Sequence, residues 1–482
     1  MIVVLFGATG LVGRALALRL RRDRHVVRAW VRDPVRARGL LGAEVEQIAA
    51  SDDDGALVEL LDGCDAIVNV AGEPVAQRWS SRVRSRLVDS RVGLNDRITA
   101  ALVRCARRPK VWVQASAVGY YGDRGDELVD ETAVPGTGFL ADLCRSWEAS
   151  ALAASPLGVR VVCLRIGLVL AGDGGVLPTM AAPARWGLGA VLGDGRQHVP
   201  WIHLVDLVEL FVAALADDRY AGAINAVAPA PVTHRSFVDA ISRTLRRPRV
   251  ARVPGLALRL ALGEAAVVVL GGQRVMPMRA CELGLRFEFP TLETALNDLL
   301  GSASAPSIVA VESWPASAYL DRRRPSFCLE SRVSLTSPLA EVMSFFAKAE
   351  NLGAMTPAHM AFGILGEAPQ EIHEGSTIDY EIQLGVVPLR WRTRIERVDA
   401  AGFVDCQLRG PYRCWYHEHR FERSTRGTEM IDRVWYAPPL GALGRIAQWL
   451  VVAGQLRRIF AHRRRCAQLR FGDAARAPTT NR

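Results

Sequence analysis

The sequence predicts two successive domains, a doubly wound parallel α/β sheet with a small α/β cap and then an α+β domain. Three observations predict this fold class. A short apolar run at the start of the chain enters a glycine-rich turn and then a helical pattern. Over residues 1 to about 170, short apolar runs alternate with longer amphipathic segments, as in parallel sheets covered by helices on both faces. After residue 326, closely spaced strands are followed by one long amphipathic helix, which is typical of an α+β domain.

The length and composition indicate a large globular protein without a membrane span. At 482 residues the chain is too long for a single hydrophobic core, and it is 50% hydrophobic and 23% charged. No segment offers the roughly 18 to 20 uninterrupted apolar residues that a bilayer span requires. The best candidate, residues 256–270, is interrupted by Arg259 and Glu264. No charged leader precedes the first strand, so we expect a cytoplasmic location.

Cysteine usage and charge argue against two further classes of protein. The nine cysteines are odd in number and include no CxxC pair, so we expect reduced core thiols rather than a disulfide framework or a zinc site. The net charge is +10, and the densest basic segment, residues 457–470, carries apolar residues at helical spacing. This spacing favours a solvated helix face, and we predict no nucleic-acid partner.

The first strand and its glycine turn are typical of a dinucleotide-binding, Rossmann-type sheet. Residues 2–6 are apolar, and the spacing GxxGxxG follows. The first glycine permits a tight turn, the second lets backbone amides approach a pyrophosphate, and the third lets the helix pack on the strand. The helix N-terminus adds unpaired N–H groups and the positive end of its dipole. The predicted cofactor contacts of this turn are Gly7, Thr9, Gly10, Leu11, Val12 and Gly13.

The next elements complete the sheet and its cap. Apolar runs at 26–31, 66–70, 111–115 and 159–164 are predicted strands, and the segments between them are predicted helices. The more irregular region from residue 172 to about 300 contains Gly- and Pro-rich loops and two or three helices. We expect this region to build the cap that holds the substrate.

The end of the second strand predicts which nucleotide binds. An acid there would bind the ribose 2′-hydroxyl of NAD, whereas an arginine would accept the 2′-phosphate of NADP. The strand ends in a valine followed by Arg32 and Asp33, and this order favours NADP(H). In the alternative, Arg32 is a surface arginine and Asp33 caps the next turn. After the fourth strand, Ala71, Gly72 and Glu73 form a turn with small residues where the backbone has to approach the cofactor.

Six ordered motifs give residues 1–300 a specific resemblance. They are Gly7-x-x-Gly10-x-x-Gly13, Ala71-Gly72-Glu73-Pro74, residues 116–122 (SAVGYYG), Trp147-Glu148, residues 164–170 (LRIGLVL) and residues 195–203 (GRQHVPWIH). Together they resemble the atypical extended short-chain dehydrogenase/reductases of the NAD-dependent epimerase/dehydratase type, with that family's own C-terminal extension. The resemblance implies an NADP-binding domain over residues 1–300, a small-molecule substrate, and an oxidoreductase or nucleotide-sugar-epimerase-like reaction.

The catalytic pair of the superfamily is missing from this sequence. Ordinary members use Tyr-x-x-x-Lys, in which the lysine lowers the tyrosine pKa so that the phenol acts as acid and base. When Glu148 is aligned with the glutamate that commonly follows the pair, Leu140 and Cys144 stand at its two positions, and neither can replace it.

Two hydroxyls remain as candidate catalytic groups. Ser116 would orient a substrate hydroxyl, with Ala117 as the alternative residue at that register. Tyr121 or its neighbour Tyr120 would supply a phenol from another direction, and the alternative for both is packing beside the cofactor. We expect Cys144 to be a core thiol, because no histidine lies near it in the sequence to activate it.

The cap contains four polar residues of interest. Arg196 and His203 are candidate substrate contacts, since a guanidinium suits the oxygens of an anionic or sugar-nucleotide substrate. Gln197 and Asp206 accompany them. In the alternative, His203 and Asp206 anchor the junction between a strand and a helix.

The second domain follows a segment rich in small, proline and charged residues. We interpret residues 301–326 as a linker, residues 327–471 as the second domain and residues 472–482 as a disordered tail. Strands are predicted over 326–335, 375–384, 390–398, 403–408, 412–422 and 428–436, and a helix over about 441–470.

The second domain resembles the START-like, polyketide cyclase-type (SRPBCC) helix-grip family. The matching stretches are residues 351–357, 375–380, 391, 403–412 and 415–421. The resemblance implies an apolar cavity between sheet and helix that binds a hydrophobic small molecule. His417 and His419 share one face of their strand with Trp415 and Phe421. No third ligand is visible near them, so we predict a structural or cavity-lining role and no metal site.

These observations support two functional hypotheses. In the first, the chain is an NADP(H)-dependent oxidoreductase or epimerase-like enzyme fused to a module for a hydrophobic ligand. In the second, it is a catalytically silent NADPH-binding sensor or ligand-binding protein. The missing Tyr-x-x-x-Lys pair favours the second hypothesis, and the retained Ser116 and cap motifs favour the first.

Overall fold

The computed structural model of this chain describes residues 1–301, 306–367, 369–384 and 387–475. The chain divides into two compact units. The first unit comprises Met1–Leu20, His25–Asp33 and Glu46–Ser302, and the second comprises Arg21–Arg24, Pro34–Val45 and Ala303–Arg482.

The strands up to residue 301 are β1 (Ile2–Phe6), β2 (Val26–Val31), β3 (Glu46–Ala49), β4 (Ala66–Asn69), β5 (Val111–Ala117), β6 (Leu128–Val129), β7 (Arg160–Ile166), β8 (Leu168–Leu170), β9 (Gly189–Leu192), β10 (His198–Val199), β11 (Trp201–His203), β12 (Gly222–Ala226), β13 (Val232–Thr233), β14 (Arg249–Val253) and β15 (Arg274–Val275). The helices of the same region are α1 (Leu11–Arg22), α2 (Pro34–Leu41), α3 (Asp54–Leu61), α4 (Ser81–Val88), α5 (Leu94–Arg104), α6 (Phe139–Leu152), α7 (Leu177–Arg185), α8 (Leu204–Ala216), α9 (His234–Thr244), α10 (Gly255–Leu262), α11 (Val267–Leu270), α12 (Met278–Glu282) and α13 (Leu292–Leu300).

A seven-stranded parallel sheet in the order β12-β7-β5-β4-β1-β2-β3 forms the centre of the first unit. This arrangement confirms the predicted Rossmann-type parallel sheet, and the strands predicted from apolar runs are those observed, within two residues at their ends. The continuous apolar runs follow from burial on both faces: Val3, Val4 and Leu5 of β1 are fully buried. The order reverses at β1, so its carboxyl end lies at the point where such sheets bind nucleotides.

The region predicted to form only a cap also contributes to the sheet. Its strand β12 pairs in parallel with β7 at the edge of the sheet. The rest of the region builds short two-stranded pairs, including β8 with β11 and β9 with β14. Helices α7, α9 and α13 pack there around a separate apolar cluster that contains Trp201 and Phe237.

The second unit contains an eight-stranded antiparallel sheet in the order β16-β17-β23-β22-β21-β20-β19-β18. Its strands are β16 (Ser307–Ala310), β17 (Phe327–Leu335), β18 (Gly363–Ile364), β19 (Thr377–Leu384), β20 (Val387–Asp399), β21 (Gly402–Arg409), β22 (Cys414–Ser424) and β23 (Gly427–Ala437). The helices beyond residue 306 are α14 (Ala318–Arg323), α15 (Leu339–Phe346), α16 (Gly441–Ala447) and α17 (Ala453–Phe471).

The predicted closing helix is present, with one irregularity. A π-helical turn, Gln448–Val452, joins α16 to α17, and α17 packs on the sheet through residues such as Leu456 and Phe460. The antiparallel sheet with a long helix across it agrees with the predicted α+β class. The narrower helix-grip assignment stays a prediction.

Two sequence interpretations need correction at the borders of the second unit. Residues 306–326 are not an irregular linker, because β16 pairs with β17 and Leu320 of α14 is fully buried. The start of the predicted tail is also ordered: Asp473 forms a β-bridge with Leu335, and Ala474 is 1% exposed. The sequence did not predict these elements, because small and charged residues are typical of linkers. Their burial depends on packing against strands elsewhere in the sequence. Residues 302–305 and 476–482 lie outside the described residues.

Candidate functional site

The glycine turn after β1 adopts the backbone that the motif predicts. Gly7 has φ +79°, a left-handed conformation that glycine adopts without steric cost. A Cβ atom at Gly7 would lie 2.7 Å from the backbone nitrogen of Ala71, so the turn after β4 approaches this position closely. A Cβ atom at Gly13 would collide with the carbonyl oxygen of Gly7. Because glycine has no Cβ atom, helix α1 can pack closely against the turn.

The N-terminus of α1 is open to a ligand. Thr9 and Gly10 are exposed, and Leu11 and Val12 are partly exposed. The first turn of the 12-residue helix carries no acidic side chain that would compete for the positive end of its dipole. Backbone N–H groups in this arrangement form an anion-binding site of the kind that holds a pyrophosphate.

Arg32 lies where the selection of the nucleotide would take place. It follows β2 directly, and β2 pairs in parallel with β1, so that Phe6 lies beside Trp30 and Arg32 comes one residue after the strand ends. Arg32 and Asp33 are both exposed. Arg32 thus follows the carboxyl end of β2, the strand next to the one that enters the glycine turn.

An arginine that the sequence did not single out supports the turn after β4. Arg91 is 8% exposed and donates a hydrogen bond from Nη2 to the carbonyl of Glu73 at 2.9 Å. A Cβ atom at Gly72 would lie 3.0 Å from this guanidinium, so only glycine fits without a shift. The guanidinium also lies 4.9 Å from the ring of Trp147, and burial lowers its pKa. The sequence did not distinguish Arg91, because the other arginines in the preceding helix α4 made it look like a further surface arginine.

Ser116 and Tyr121, the candidate catalytic hydroxyls, belong to one buried polar network. Ser116 donates to Glu148 at 2.6 Å, and Glu148 accepts two hydrogen bonds from Arg165, at 2.9 and 2.8 Å. Arg165 also donates to the Tyr121 hydroxyl oxygen at 2.9 Å, and that hydroxyl donates to Asn225 at 2.7 Å. We name these five residues the Arg165 network. Asn225 lies on β12, so its hydrogen bond with Tyr121 ties this edge strand to the network.

This network changes the interpretation of both hydroxyls. Ser116 is 3% exposed, Tyr121 is fully buried, and each already donates its proton inside the protein. Burial raises the pKa of Tyr121 to about 12, despite the nearby Arg165. An acid–base phenol needs a pKa near the working pH and access to substrate. In this arrangement both hydroxyls take part in hydrogen bonds that connect β5, α6, β7 and β12, and their catalytic roles stay predictions.

The two positions of the missing catalytic pair lie in the first two turns of α6. Leu140 and Cys144 are side by side, since a Cβ atom at Gly119 would touch both, at 3.6 and 3.7 Å. Cys144 is buried, and burial raises the pKa of its thiol to about 12. Burial therefore disfavours the thiolate, in line with the core thiol that the sequence predicted.

The cap residues divide into anchoring groups and one exposed arginine. His203 is 1% exposed, caps α8 by accepting a hydrogen bond from the Val205 backbone at 3.1 Å, and has its ring 3.8 Å from that of Phe289. Asp206 accepts from the backbone of Glu288 and Phe289, at 2.7 and 3.0 Å. These contacts favour the alternative, that both residues anchor the strand–helix junction, and the substrate role of His203 stays a prediction.

Arg196 and Gln197 lie in the loop between β9 and β10. Gln197 donates to the carbonyls of Leu192 and Val269, at 3.1 and 3.0 Å, so it holds loops together. Arg196 is exposed, and its substrate role stays a prediction.

The second unit contains an apolar cavity of about 180 Å³ between its sheet and α17. The wall is mainly aromatic and aliphatic and includes Phe362, Tyr380, Ile382, Trp391 and Phe460. Roughly 150 Å³ of dry apolar cavity accommodates a molecule such as benzene. The space therefore suits a small hydrophobic ligand.

A group of charged side chains interrupts the apolar wall of this cavity. His417 and His419 of β22 line it together with Asp405 of β21 and Arg463 of α17. The Nε2 atom of His417 lies 3.1 Å from Asp432, and the Nε2 atom of His419 lies 3.0 Å from Asp405. Arg463 donates from Nε to Asp432 at 3.0 Å. We name these five residues the Arg463 network.

Burial dominates the electrostatics of the Arg463 network. Burial and the neighbouring His419 lower the pKa of His417 to about 4, against the opposite effect of Asp432 and Asp405. Burial alone would raise the pKa of Asp432, but Arg463 and the two histidines hold it well below its ordinary value. The carboxylate of Asp432 is thus ionised and His417 is neutral at physiological pH.

The structure also corrects the reason for predicting no metal ligand set. A third potential ligand is present, because Asp405, His417 and His419 each present one ligand atom within 4.8 Å of the others. Asp405 is 12 positions from His417 in sequence but directly opposite it in the β21–β22 ladder. Only strand pairing could reveal this neighbour.

Among the described residues, no helix is both long and apolar enough to cross a membrane. The expected cytoplasmic location stays a prediction.

Two family models match this chain. Residues 3–226 match the NAD dependent epimerase/dehydratase family, and residues 253–299 match a domain of unknown function (DUF1731). The second match coincides with the C-terminal extension that the sequence predicted. Both matches end before residue 300, so the START-like resemblance of residues 327–471 stays a prediction.

Similar proteins cover the same N-terminal part. The chain is 38% identical over 302 residues to the chloroplastic "Epimerase family protein SDR39U1 homolog" of Arabidopsis thaliana, covering 62% of this chain and 87% of that protein. It is 39% identical to the "Epimerase family protein Mb2239" of Mycobacterium bovis, covering 61% and 96%.

Two solved structures resemble the same part of the chain. One is human epimerase family protein SDR39U1 with NADPH, at 30% identity and a TM-score of 0.56, covering 62% of this chain and 99% of that one. The other is a nucleoside-diphosphate sugar epimerase from Corynebacterium glutamicum, at 31% identity and a TM-score of 0.50, covering 62% and 58%.

Proposed function

This chain belongs to the NAD dependent epimerase/dehydratase family, and on that premise we propose that it is an NADP(H)-dependent oxidoreductase or epimerase-like enzyme acting on a small molecule. The observation that carries the proposal is the open glycine turn between β1 and α1, with Arg32 exposed beside it. The human relative with NADPH supports the same nucleotide.

The residues present fit the cofactor. Gly7 and Gly13 leave room that any larger side chain would fill, and the free N-terminus of α1 suits a pyrophosphate. Arg32 would accept the 2′-phosphate, because a guanidinium forms paired hydrogen bonds with phosphate oxygens. When bound, the nicotinamide would supply hydride transfer.

The chain's own acid and base are not identified among the predicted residues. Leu140 and Cys144 replace the catalytic pair, and the hydroxyls of Ser116 and Tyr121 are engaged in the Arg165 network. This specific observation favours a second candidate function, an NADPH-binding sensor without turnover. The two candidates share the nucleotide site and differ in hydride transfer alone.

Fluorescence titration with NADPH followed by a turnover assay separates the candidates. Both predict saturable binding of NADPH by the full chain. Oxidation of NADPH by a carbonyl compound, or conversion of a nucleotide sugar into an isomer detected by chromatography, would support the enzyme. Binding of NADPH with neither reaction across the panel would support the sensor, and no binding would overturn both.

For the second unit we propose binding of a hydrophobic small molecule in the cavity, supported by its aromatic wall. The probe is 1-anilinonaphthalene-8-sulfonate, whose fluorescence rises in apolar sites. Ile382→Trp would fill the cavity and abolish the saturable signal, while Val398→Trp, at an exposed position on the same sheet, would preserve it. Equal signals from the two variants would contradict this proposal.

A further inference from the structure

The Arg463 network places three metal-ligating side chains at one point of the cavity wall in the second unit. Asp405 lies on β21 directly opposite His417 on β22, and His419 is two residues further along β22. Residues two apart on a strand point to the same face, and so do directly opposite residues on paired strands. The fold therefore brings one carboxylate and two imidazoles together on the cavity face.

The ligand atoms lie close enough together to surround one metal ion. The Oδ2 atom of Asp405 lies 3.0 Å from Nε2 of His419 and 3.6 Å from Nδ1 of His417. Metal–ligand bonds of 2.0 to 2.2 Å in tetrahedral geometry separate two ligand atoms by about 3.4 Å. The two distances from Asp405 bracket this value, and the three ligand atoms all lie within 4.8 Å of one another.

A single carboxylate contacts the other nitrogen of each histidine. The Oδ1 atom of Asp432 lies 3.1 Å from Nε2 of His417 and 3.0 Å from Nδ1 of His419. Metal-bound histidines almost always donate their second nitrogen to such a group, which fixes the ring and its tautomer. Asp432 is 3% exposed, is held by Arg463, and is not part of the cavity wall.

From this arrangement we propose that Asp405, His417 and His419 bind one divalent transition metal ion, positioned by Asp432. Three protein ligands leave a coordination position open, as in catalytic rather than structural zinc sites. All three ligands line the apolar cavity, so the open position faces its interior. The site would therefore take a hydrophobic ligand that carries an oxygen donor, such as a carbonyl or carboxylate. The site does not depend on the nucleotide proposed for the first unit.

The protonation states of the network are compatible with metal binding. The Nη2 atom of Arg463 lies 2.9 Å from Nδ1 of His419, so without metal this nitrogen accepts from Arg463 while Nε2 donates to Asp405. When Nε2 binds a metal, the His419 proton would lie on Nδ1 and donate to Asp432, so Nη2 of Arg463 has to turn away from Nδ1 while Nε keeps its hydrogen bond to Asp432. The network contains two carboxyl groups against one guanidinium, a composition that favours a cation.

Metal content and a cobalt titration of the full chain test the proposal. Two His and one carboxylate suit both zinc and iron(II), so elemental analysis of freshly purified protein distinguishes these metals. After chelator treatment, we expect one equivalent of Co²⁺ to bind and give visible absorption bands, and Zn²⁺ to abolish them by competition.

Matched variants locate the site. Asp405→Asn and His419→Gln should weaken Co²⁺ binding more than about 100-fold, and Asp432→Asn, a positioning variant, about 10- to 100-fold. The controls Asp379→Asn, at a partly exposed position, and His373→Gln, at an exposed one, lie outside the cavity wall of the same unit and should bind as the parent does.

A stability readout covers variants that fold poorly. Zn²⁺ should raise the Tm of the parent chain, because a ligand that binds only the folded state stabilises it. The rise should disappear in Asp405→Asn, which preserves the shape of the side chain. The proposal is overturned if the parent shows neither saturable Co²⁺ binding nor a Tm shift, or if the ligand variants bind as tightly as their controls.

Discussion

Each unit contains a buried arginine surrounded by acceptors, and the two networks differ in what they leave open. In the first unit, Arg165 is 4% exposed and forms two hydrogen bonds to Glu148 and one to Tyr121. In the second unit, Arg463 is 5% exposed and is bonded to Asp432. The Arg165 network joins strands of the parallel sheet, whereas most of the Arg463 network lines a cavity.

The difference shows that buried charge by itself does not indicate a functional site. In the Arg165 network, hydrogen bonds satisfy the hydroxyls of both Ser116 and Tyr121. In the Arg463 network, His419 Nδ1 lies within hydrogen-bond distance of both Arg463 and Asp432 and can pair with only one of them at a time. A network with such competing contacts, next to open space, has capacity for a ligand.

Glu148→Gln should have the largest effect and tests whether the first network is structural. The substitution leaves Arg165 buried without a carboxylate, which costs about 3 to 5 kcal/mol of folding free energy. Chemical denaturation, followed by near-ultraviolet circular dichroism, measures the loss. Glu127→Gln, at an exposed ion pair, is the control. A loss equal to that of the control would remove the distinction between the two networks.

Arg32→Ala probes an arginine of the first unit that is exposed instead of enclosed. Loss of a charge-assisted contact to the 2′-phosphate costs about 1.5 to 3 kcal/mol, so NADPH affinity should fall roughly 10- to 100-fold. NADH affinity should stay nearly constant, as measured by fluorescence titration. Arg104→Ala, at the exposed end of α5, serves as the control. Equal losses for both nucleotides would contradict the assignment of Arg32.

Tyr121→Phe separates a structural phenol from a catalytic one. It removes a hydroxyl that is hydrogen-bonded to Arg165 and Asn225, and unpaired buried groups cost about 1 to 3 kcal/mol of stability. We expect a lower Tm with unchanged NADPH affinity and unchanged turnover of any substrate found. A large fall in kcat without a change in Tm would return Tyr121 to a catalytic role.

Asp405→Asn should have the smallest effect on stability, because the second network is only partly closed. The asparagine keeps an oxygen acceptor for His419, so the cost should not exceed about 1.5 kcal/mol in metal-free protein. Denaturation in the presence of chelator measures it. A loss as large as that of Glu148→Gln would show that Asp405 is part of a structural network, and the comparison between the units would fail.

The sequence predicted the parallel sheet and the nucleotide turn because their signals are local. Residues 2–13 carry a complete strand, turn and helix start, and each glycine has a steric reason within this segment or its immediate partner turn. The strands of the second unit were also predictable, since alternating apolar residues mark a half-buried sheet. The order of the strands and the pairing of β12 were not, because pairing depends on contacts between distant segments.

The roles of the candidate side chains were decided by the tertiary structure alone. The hydroxyls of Ser116 and Tyr121 are already hydrogen-bonded inside the protein. Their partners Glu148, Arg165 and Asn225 come from three other elements, so the sequence alone could not reveal these bonds. His417 and His419 gain a third neighbour because strand pairing brings Asp405 beside them. A linear sequence determines which backbone conformations and buried faces are favourable, but burial and hydrogen-bond partners arise only when distant segments pack together. This chain's cofactor turn was therefore readable in its first thirteen residues, and the chemistry of its side chains was not.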